Sequence, residues 1–452
     1  MFEKLRIIFS IPELRKKVML TIGLLAIYRI GFHIPLPMIA TNLDSGAGGG
    51  AADFFEKVSV FAASDLRQAT IFGLGIMPYI SASIIFQLLG SVYKPLEELK
   101  KEGEAGRKKL NEYTRYLTVV ICLVQSYMYL KFMLMAGANG QSSINPNFMN
   151  ANEQLFFGWQ IVAVLVMTTG TVFLMWLGEQ ITERGIGNGI SLIIFAGIVV
   201  NLPSAVFSVF QMVSEGQLNA LTAIFLLALA LGLTTFIVFV ERGQRRVTMQ
   251  FARRGGRQAT QAQTSYLPMK INMSGVIPPI FASSLVLFPG TIASFAGQNE
   301  GFEWLTDLSQ QLSPGNTLYL VFYGALIVFF TYFYTALTFN SDETADNLKR
   351  QSAVIPGIRP GKQTANYLDG VLNRVTLWGS MYLLGVCLLP DILNSALAVP
   401  FAIGGTGLLI VVVVAMDSMA QLQNHLVSQQ YESVLKKSDI KNYRRSSSKI
   451  RR

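Results

Sequence analysis

Apolar residues in this chain come in long runs rather than in alternation. Ten runs stand out, at 18–34, 72–92, 116–135, 159–177, 186–206, 218–240, 271–292, 318–339, 371–389 and 401–420. Each is about 20 residues long, the length a helix needs to cross roughly 30 Å of hydrocarbon. The pattern predicts an all-α polytopic membrane protein with ten transmembrane helices. The polar stretches divide it further. We expect an amphipathic N-terminus at 1–17 and an N-terminal half at 18–206. A sixth span with its outer loop should fill 207–240, followed by a basic loop at 241–270. Spans seven to ten follow at 271–420 around a loop at 341–370, and a basic tail fills 421–452. The first run follows Lys4, Arg6, Arg15, Lys16 and Lys17 without a convincing small-residue cleavage site, so it reads as an anchor rather than a removed signal.

Composition agrees with this reading. Hydrophobic residues make up 51% of 452 positions and charged ones 14%, more apolar surface than a water-soluble enzyme can hide. The net charge of +10 acquires meaning only once it is distributed across the membrane. Five Lys and Arg lie in the N-terminus, seven in 93–115, seven in 241–270, five in 341–374 and eight in the tail. The alternate segments hold only Lys57, Arg67 and Lys131. The positive-inside rule therefore puts both termini in the cytoplasm.

The chain also repeats itself. Gly75-Ile-Met-Pro-Tyr-Ile-Ser-Ala-Ser83 and Gly275-Val-Ile-Pro-Pro-Ile-Phe-Ala-Ser283 agree at five of nine positions, 200 residues apart. One copy is in the second span and the other in the seventh. An offset of five spans reverses direction, so the chain reads as two inverted five-helix halves about an axis in the membrane plane. Such an axis brings equivalent helices together, and the small residues Ser81, Ala82, Ser83, Ala282, Ser283 and Ser284 suit close helix approach.

The spans hold little other chemistry. Arg29, His33 and Asp417 sit near span ends, where they can snorkel, and no ion-coupling relay is visible. Cys122 and Cys387 lie in apolar runs, and His33 is far in sequence from His425, so neither a disulfide framework nor a metal cluster is expected. Residues 357–364 resemble a phosphate loop but are one residue short, with Gln363 where Ser or Thr is needed. We expect no cofactor and no enzymatic activity. Bulky aliphatics occupy the centre instead: Ile76 and Ile80, Ile190 and Ile194, then Ile280 and Ile410. They are compatible with lipid-facing or core packing, or with a ring that excludes water by dewetting yet parts for something larger. The basic loops fit anionic lipid, an RNA-rich partner or an acidic protein surface. The segment 54–69 is too short and too charged to span. It suits a surface loop or a short helix folded into an outer funnel.

Six runs carry a resemblance to a known family: 73–87, 176–191, 239–246, 267–284, 343–361 and 404–416. They resemble the SecY/Sec61-alpha family, the channel subunits of protein translocases. The resemblance implies an hourglass of two halves that passes unfolded secretory chains and releases membrane segments sideways between spans two and seven. It implies a pore ring of Ile76, Ile80, Ile190, Ile194, Ile280 and Ile410, and a lateral gate using Ser81, Gln87, Asn188, Asn272 and Ser283. A plug at about 55–69 would include Phe61, Asp65 and Arg67. Arg242, Arg245, Arg246, Arg253, Arg254, Arg257 and Arg359 would dock the ribosome or the motor ATPase SecA. The small subunits SecE and SecG, signal peptides, nascent chains and anionic lipids complete the implied partners, in a bacterial inner membrane. At Pro279 the resemblance leads one to expect a small residue. The residues themselves leave two alternatives: a secondary solute transporter, which inverted repeats also fit, and a scaffold or receptor.

Overall fold

A computed structural model describes residues 11–36, 70–136, 156–216, 218–251, 264–296, 311, 316–397 and 405–449. Ten long helices correspond to the ten predicted spans: α1 (Pro12–Gly31), α2 (Met77–Val92), α4 (Glu104–Ala136), α5 (Phe157–Arg184), α6 (Gly189–Ser214), α7 (Ala220–Glu241), α8 (Ile277–Ala296), α9 (Thr317–Thr338), α11 (Lys362–Leu397) and α12 (Gly405–Lys449). Two short polar helices, α3 (Lys94–Lys101) and α10 (Ser341–Arg350), sit between spans. Six of the long helices are long and apolar enough to cross a membrane by composition alone, and the described parts of α2 and α8 are shorter apolar segments. Only 11% of the most apolar stretch of α7 is buried, as expected of a helix facing lipid.

The boundaries differ from the hydrophobic runs in instructive ways. The second run starts at 72, yet residues 71–76 form turns and the helix begins only at Met77, with Pro78 at its second position. Proline is well tolerated there because the first N–H groups of a helix have no intrahelical acceptor. The same rule explains Pro278 and Pro279, which occupy the second and third positions of α8 and so remove no ladder bond. Pro279 therefore leaves the helix geometry intact. Polar turns lengthen α4 and α11 at their starts, and α12 continues well past the apolar run. The fold also holds a small sheet that apolar-run counting does not find. Strands β1 (Gln244–Phe251) and β2 (Thr264–Lys270) form an antiparallel hairpin, and β3 (Ala353–Val354) adds to the far edge of β1.

Packing follows the repeat. In the first half α2, α4, α5 and α6 touch in sequence, and in the second α8, α9, α11 and α12 do the same. Between the halves, α2 meets α8 and α6 meets α12. These are spans two with seven and five with ten, the pairs an internal two-fold relation brings together. The halves are also joined where α6 meets α7, the helix that follows it in the chain.

Among the described residues three apolar clusters hold these elements. The largest draws buried residues from nine of the ten long helices, among them Tyr28, Leu177, Ile193, Ile237, Phe281, Ile327 and Leu383. A second lies under the hairpin, where Val247, Met249 and Met269 pack on Leu348, Ile355, Leu368 and Leu372. The third joins Leu14 and Ile186 to Ile11, Val18, Leu422 and Leu426, at the start of α1, the α5–α6 turn and α12.

Candidate functional site

The site is built on the two pairs of equivalent helices. Gly75 and Gly275 adopt left-handed backbone, with φ of +56° and +63°, a region that glycine enters without steric cost. Each turns the chain two residues before its helix begins, so α2 and α8 start alike. At the other pair, glycine serves close approach. A Cβ on Gly189 would lie 1.9 Å from the Gly178 carbonyl oxygen, and one on Gly405 would lie 2.2 Å from that of Val386. In each half the span-five or span-ten helix thus starts hard against the helix before it.

These starts set the isoleucines. Ile194 and Ile410 each lie five residues after their packing glycine. Ile76, Ile80, Ile194, Ile280 and Ile410 are all buried within the central cluster, and half-buried Ile190 packs against it. These residues come from four helices or their starts and from both halves, and share one buried apolar cluster.

The polar candidates are distributed differently. Ser81 and Gln87 lie on α2, and Ser283 on α8, the helices in contact. Gln87 Nε2 donates to Ser83 Oγ at 3.0 Å, and Ser283 Oγ donates to the Ile280 carbonyl at 2.9 Å. Asn188 caps α6, its side chain accepting from the Ile190 N–H at 3.2 Å. Asn272 is 3% exposed and donates to Glu241 Oε1 at 2.6 Å and to the Gly275 carbonyl at 3.1 Å. Each of these bonds stays within one half; α2 and α8 touch, and each carries a fully buried small residue, Ala82 and Ala282.

A family model described as SecY matches residues 70–419. The chain belongs to the SecY family. Protein translocase subunit SecY of Escherichia coli (strain K12) is 50% identical over 443 residues, spanning 96% of this chain and 97% of that one. The Vibrio cholerae subunit of the same name is 49% identical over 441 residues, with 96% and 97% covered. Two solved structures share the fold. One of a protein-conducting channel has a TM-score of 0.68 at 18% identity, covering 92% of this chain and 93% of that one. Sec61 in the canine ribosome-channel complex has a TM-score of 0.64 at 17% identity, with 92% and 93% covered. SecY proteins are membrane translocase subunits and not enzymes, and the solute-transporter alternative finds no support among these relatives.

The SecY-family docking candidates fall on a folded platform. Val247 and Met249 point into the hairpin cluster while Arg246, Thr248 and Gln250 are exposed, the two-residue alternation of a half-buried strand. Arg242 and Arg245 are exposed as well. Arg359 is exposed on the turn before α11, where the Thr364 hydroxyl donates to its carbonyl at 2.9 Å. Asn340 caps α10 through the Asp342 and Glu343 N–H groups, and Ser341 hydrogen-bonds Asp369, fastening that segment to α11. The two basic loops are thus one unit. Arg253, Arg254 and Arg257 lie outside the described residues, as do the plug candidates Phe61, Asp65 and Arg67. The described residues on either side of 37–69 are paired: Pro35 bridges Thr70, and the Ile71 N–H donates to the Ile34 carbonyl at 3.1 Å.

Three polar groups escaped the sequence reading. Glu241 is one. Thr21 and Gln421 are others: Thr21 Oγ1 accepts from the Ile186 N–H at 3.2 Å, and Gln421 Oε1 accepts from the Gly187 N–H at 2.8 Å. The α5–α6 turn is strapped by them to α1 and α12. Among the described residues no cluster of His, Cys, Asp and Glu could hold a metal ion.

Proposed function

We propose that this chain is the central protein-conducting channel of a Sec translocase in a bacterial inner membrane, with both termini in the cytoplasm. One observation favours the reading: the repeat-equivalent helices α2 with α8 and α6 with α12 touch, and isoleucines from all four belong to or pack against one buried apolar cluster. A hydrophobic constriction of this kind excludes water and ions when closed. It also grips an extended polypeptide without sequence preference, because apolar contact is non-directional.

The gate follows from the contact of α2 with α8. An apolar signal segment entering there replaces helix–helix contacts with its own, worth about 0.8 kcal/mol for each CH₂ buried. The halves part, the plug at about 55–69 leaves the centre, and membrane segments pass sideways into lipid. Ser81, Gln87 and Ser283 line the moving helices, while Asn188 and Asn272 set where α6 and α8 begin. The basic platform with Arg242, Arg245, Arg246 and Arg359, extended by Arg253, Arg254 and Arg257, docks the ribosome or the motor ATPase SecA. The likeness in fold to a Sec61 seen in a ribosome-channel complex supports the ribosome as one such partner. SecE and SecG brace the halves, and anionic lipid neutralises the remaining inner charge.

The test is a cysteine at Ile80, in vesicles carrying the translocase and a stalled secretory chain. Crosslinking to that chain is expected. Silence at Ile80, Ile194 and Ile280 together overturns the ring.

A further inference from the structure

The hairpin and the gate helix are consecutive in the chain. Lys270 ends β2, and only six residues separate it from Ile277, the start of α8. Those six residues are gripped from several sides. The Ile271 N–H donates to the Gly243 carbonyl at 3.1 Å, extending the hairpin ladder by one rung. A Cβ on Gly379 of α11 would lie 2.6 Å from the Ile271 carbonyl oxygen, so that helix presses directly on the connection. Ser274 Oγ donates to Asn272 Oδ1 at 3.0 Å. The Asn272 amide then divides between the Glu241 carboxyl, at the end of α7, and the carbonyl of Gly275, the left-handed residue that aims α8.

Glu241 is the outer anchor of this chain of bonds. The Lys270–Asp417 contact beside it is 3.9 Å long with both side chains mostly exposed, so it adds little. By contrast, the Glu241–Asn272 bond is short, and its donor residue is buried. A buried amide that loses its acceptor loses the registry of the turn it supports.

We propose that Glu241 is a positioning residue for gating: through Asn272 it locks the root of α8 to α7 and the hairpin, so that a partner's push on the hairpin moves α8. The inference rests on the channel reading above. In this proposal Glu241 acts through Asn272 rather than by contact with the passing chain or the partner. Its oxygen acts only as an acceptor, so an amide in its place should serve almost as well.

The experiment compares Glu241→Ala, Glu241→Gln and Asn272→Ala in vesicles containing the complete translocase. Binding of the ribosome or motor ATPase is measured alongside partner-driven translocation of a secretory precursor. Glu241→Ala should leave partner binding unchanged while lowering translocation about tenfold, the low end for one hydrogen bond to a charged group. Glu241→Gln should retain at least about half of the wild-type rate, and Asn272→Ala should match Glu241→Ala, with no further loss in the double variant. Partner binding that falls in step with transport would reduce Glu241 to a prop for the hairpin and overturn the proposal. So would an unaffected Glu241→Ala, or a Glu241→Gln as impaired as Glu241→Ala. If Glu241→Ala does not accumulate, the Gln and Asn272 variants decide alone. Wild-type vesicles that translocate nothing would overturn the channel reading instead.

Discussion

Gly75 and Gly275, 200 residues apart, hold the same left-handed turn, each two residues before its helix, α2 or α8, begins. Nothing lies within 4 Å of a Cβ built on Gly275, so the position requires glycine for its backbone angle and not for space. Gly275→Ala should therefore cost about 1–2 kcal/mol in stability. Gly23, inside α1 and equally uncrowded, should respond with the opposite sign, Ala there stabilising by about 1 kcal/mol. Thermal unfolding midpoints of the two variants in detergent check the contrast.

A different outcome awaits Gly189 and Gly405, where the obstacle is backbone. With carbonyl oxygens 1.9 and 2.2 Å from the added carbon, Gly189→Ala and Gly405→Ala must push α6 or α12 off its neighbour. Losses of about 3 kcal/mol or failure to accumulate are expected. Ordinary yields and midpoints for both would contradict the close packing.

Ile80→Asn and Ile280→Asn place an amide in a buried apolar cluster. An unpaired buried amide costs about 1–3 kcal/mol in the closed state and invites water. Ion current through single channels in planar bilayers, without substrate, should rise for both. Ile85→Asn is the control, on the exposed side of α2, and should leave the closed channel silent.

Arg359 stands exposed on a turn whose backbone is tied down by Thr364. Arg359→Glu should weaken partner binding about tenfold at low salt, with the deficit shrinking as ionic strength rises, since exposed charges are screened beyond about 10 Å at 0.1 M. Equal affinity at all salt concentrations would remove Arg359 from the docking face.

Much of this fold was legible in the sequence because lipid simplifies the problem. A span must satisfy its own backbone, so length and apolarity suffice to find it. The 200-residue repeat identified the helices that would meet, since Gly-x-x-Pro marks a helix start wherever it occurs. The hairpin was missed although Arg246 to Gln250 alternate between outward polar and inward apolar side chains, because the strand is short and a span-length window averages the alternation away. Glu241 was missed for a different reason. A carboxylate at the end of a basic loop reads as solvated, and only the fold brings Asn272 to it. Asn188 and Asn272 were singled out by resemblance, yet their bonds run within a half, which no one-dimensional pattern encodes.

The α5–α6 turn has a further consequence. At its start, helix α6 is strapped to α12 through Gly187 and Gln421. At its far end it runs on through a short turn into α7. Its 26 residues hold these two tethers about 39 Å apart, at 1.5 Å per residue. A body pinned at two separated points keeps one freedom, rotation about the line between them, and that line is α6 itself. On the channel reading proposed above, the second half would hang like a door on its post, with the α2–α8 contact as the free edge. At two to three interaxial distances from the post, a swing of about 10° parts that edge by about 4 Å. Small rotations would then become large openings, and cysteines at Ile186 and Leu422, which pack together at the post, should leave the door free to swing.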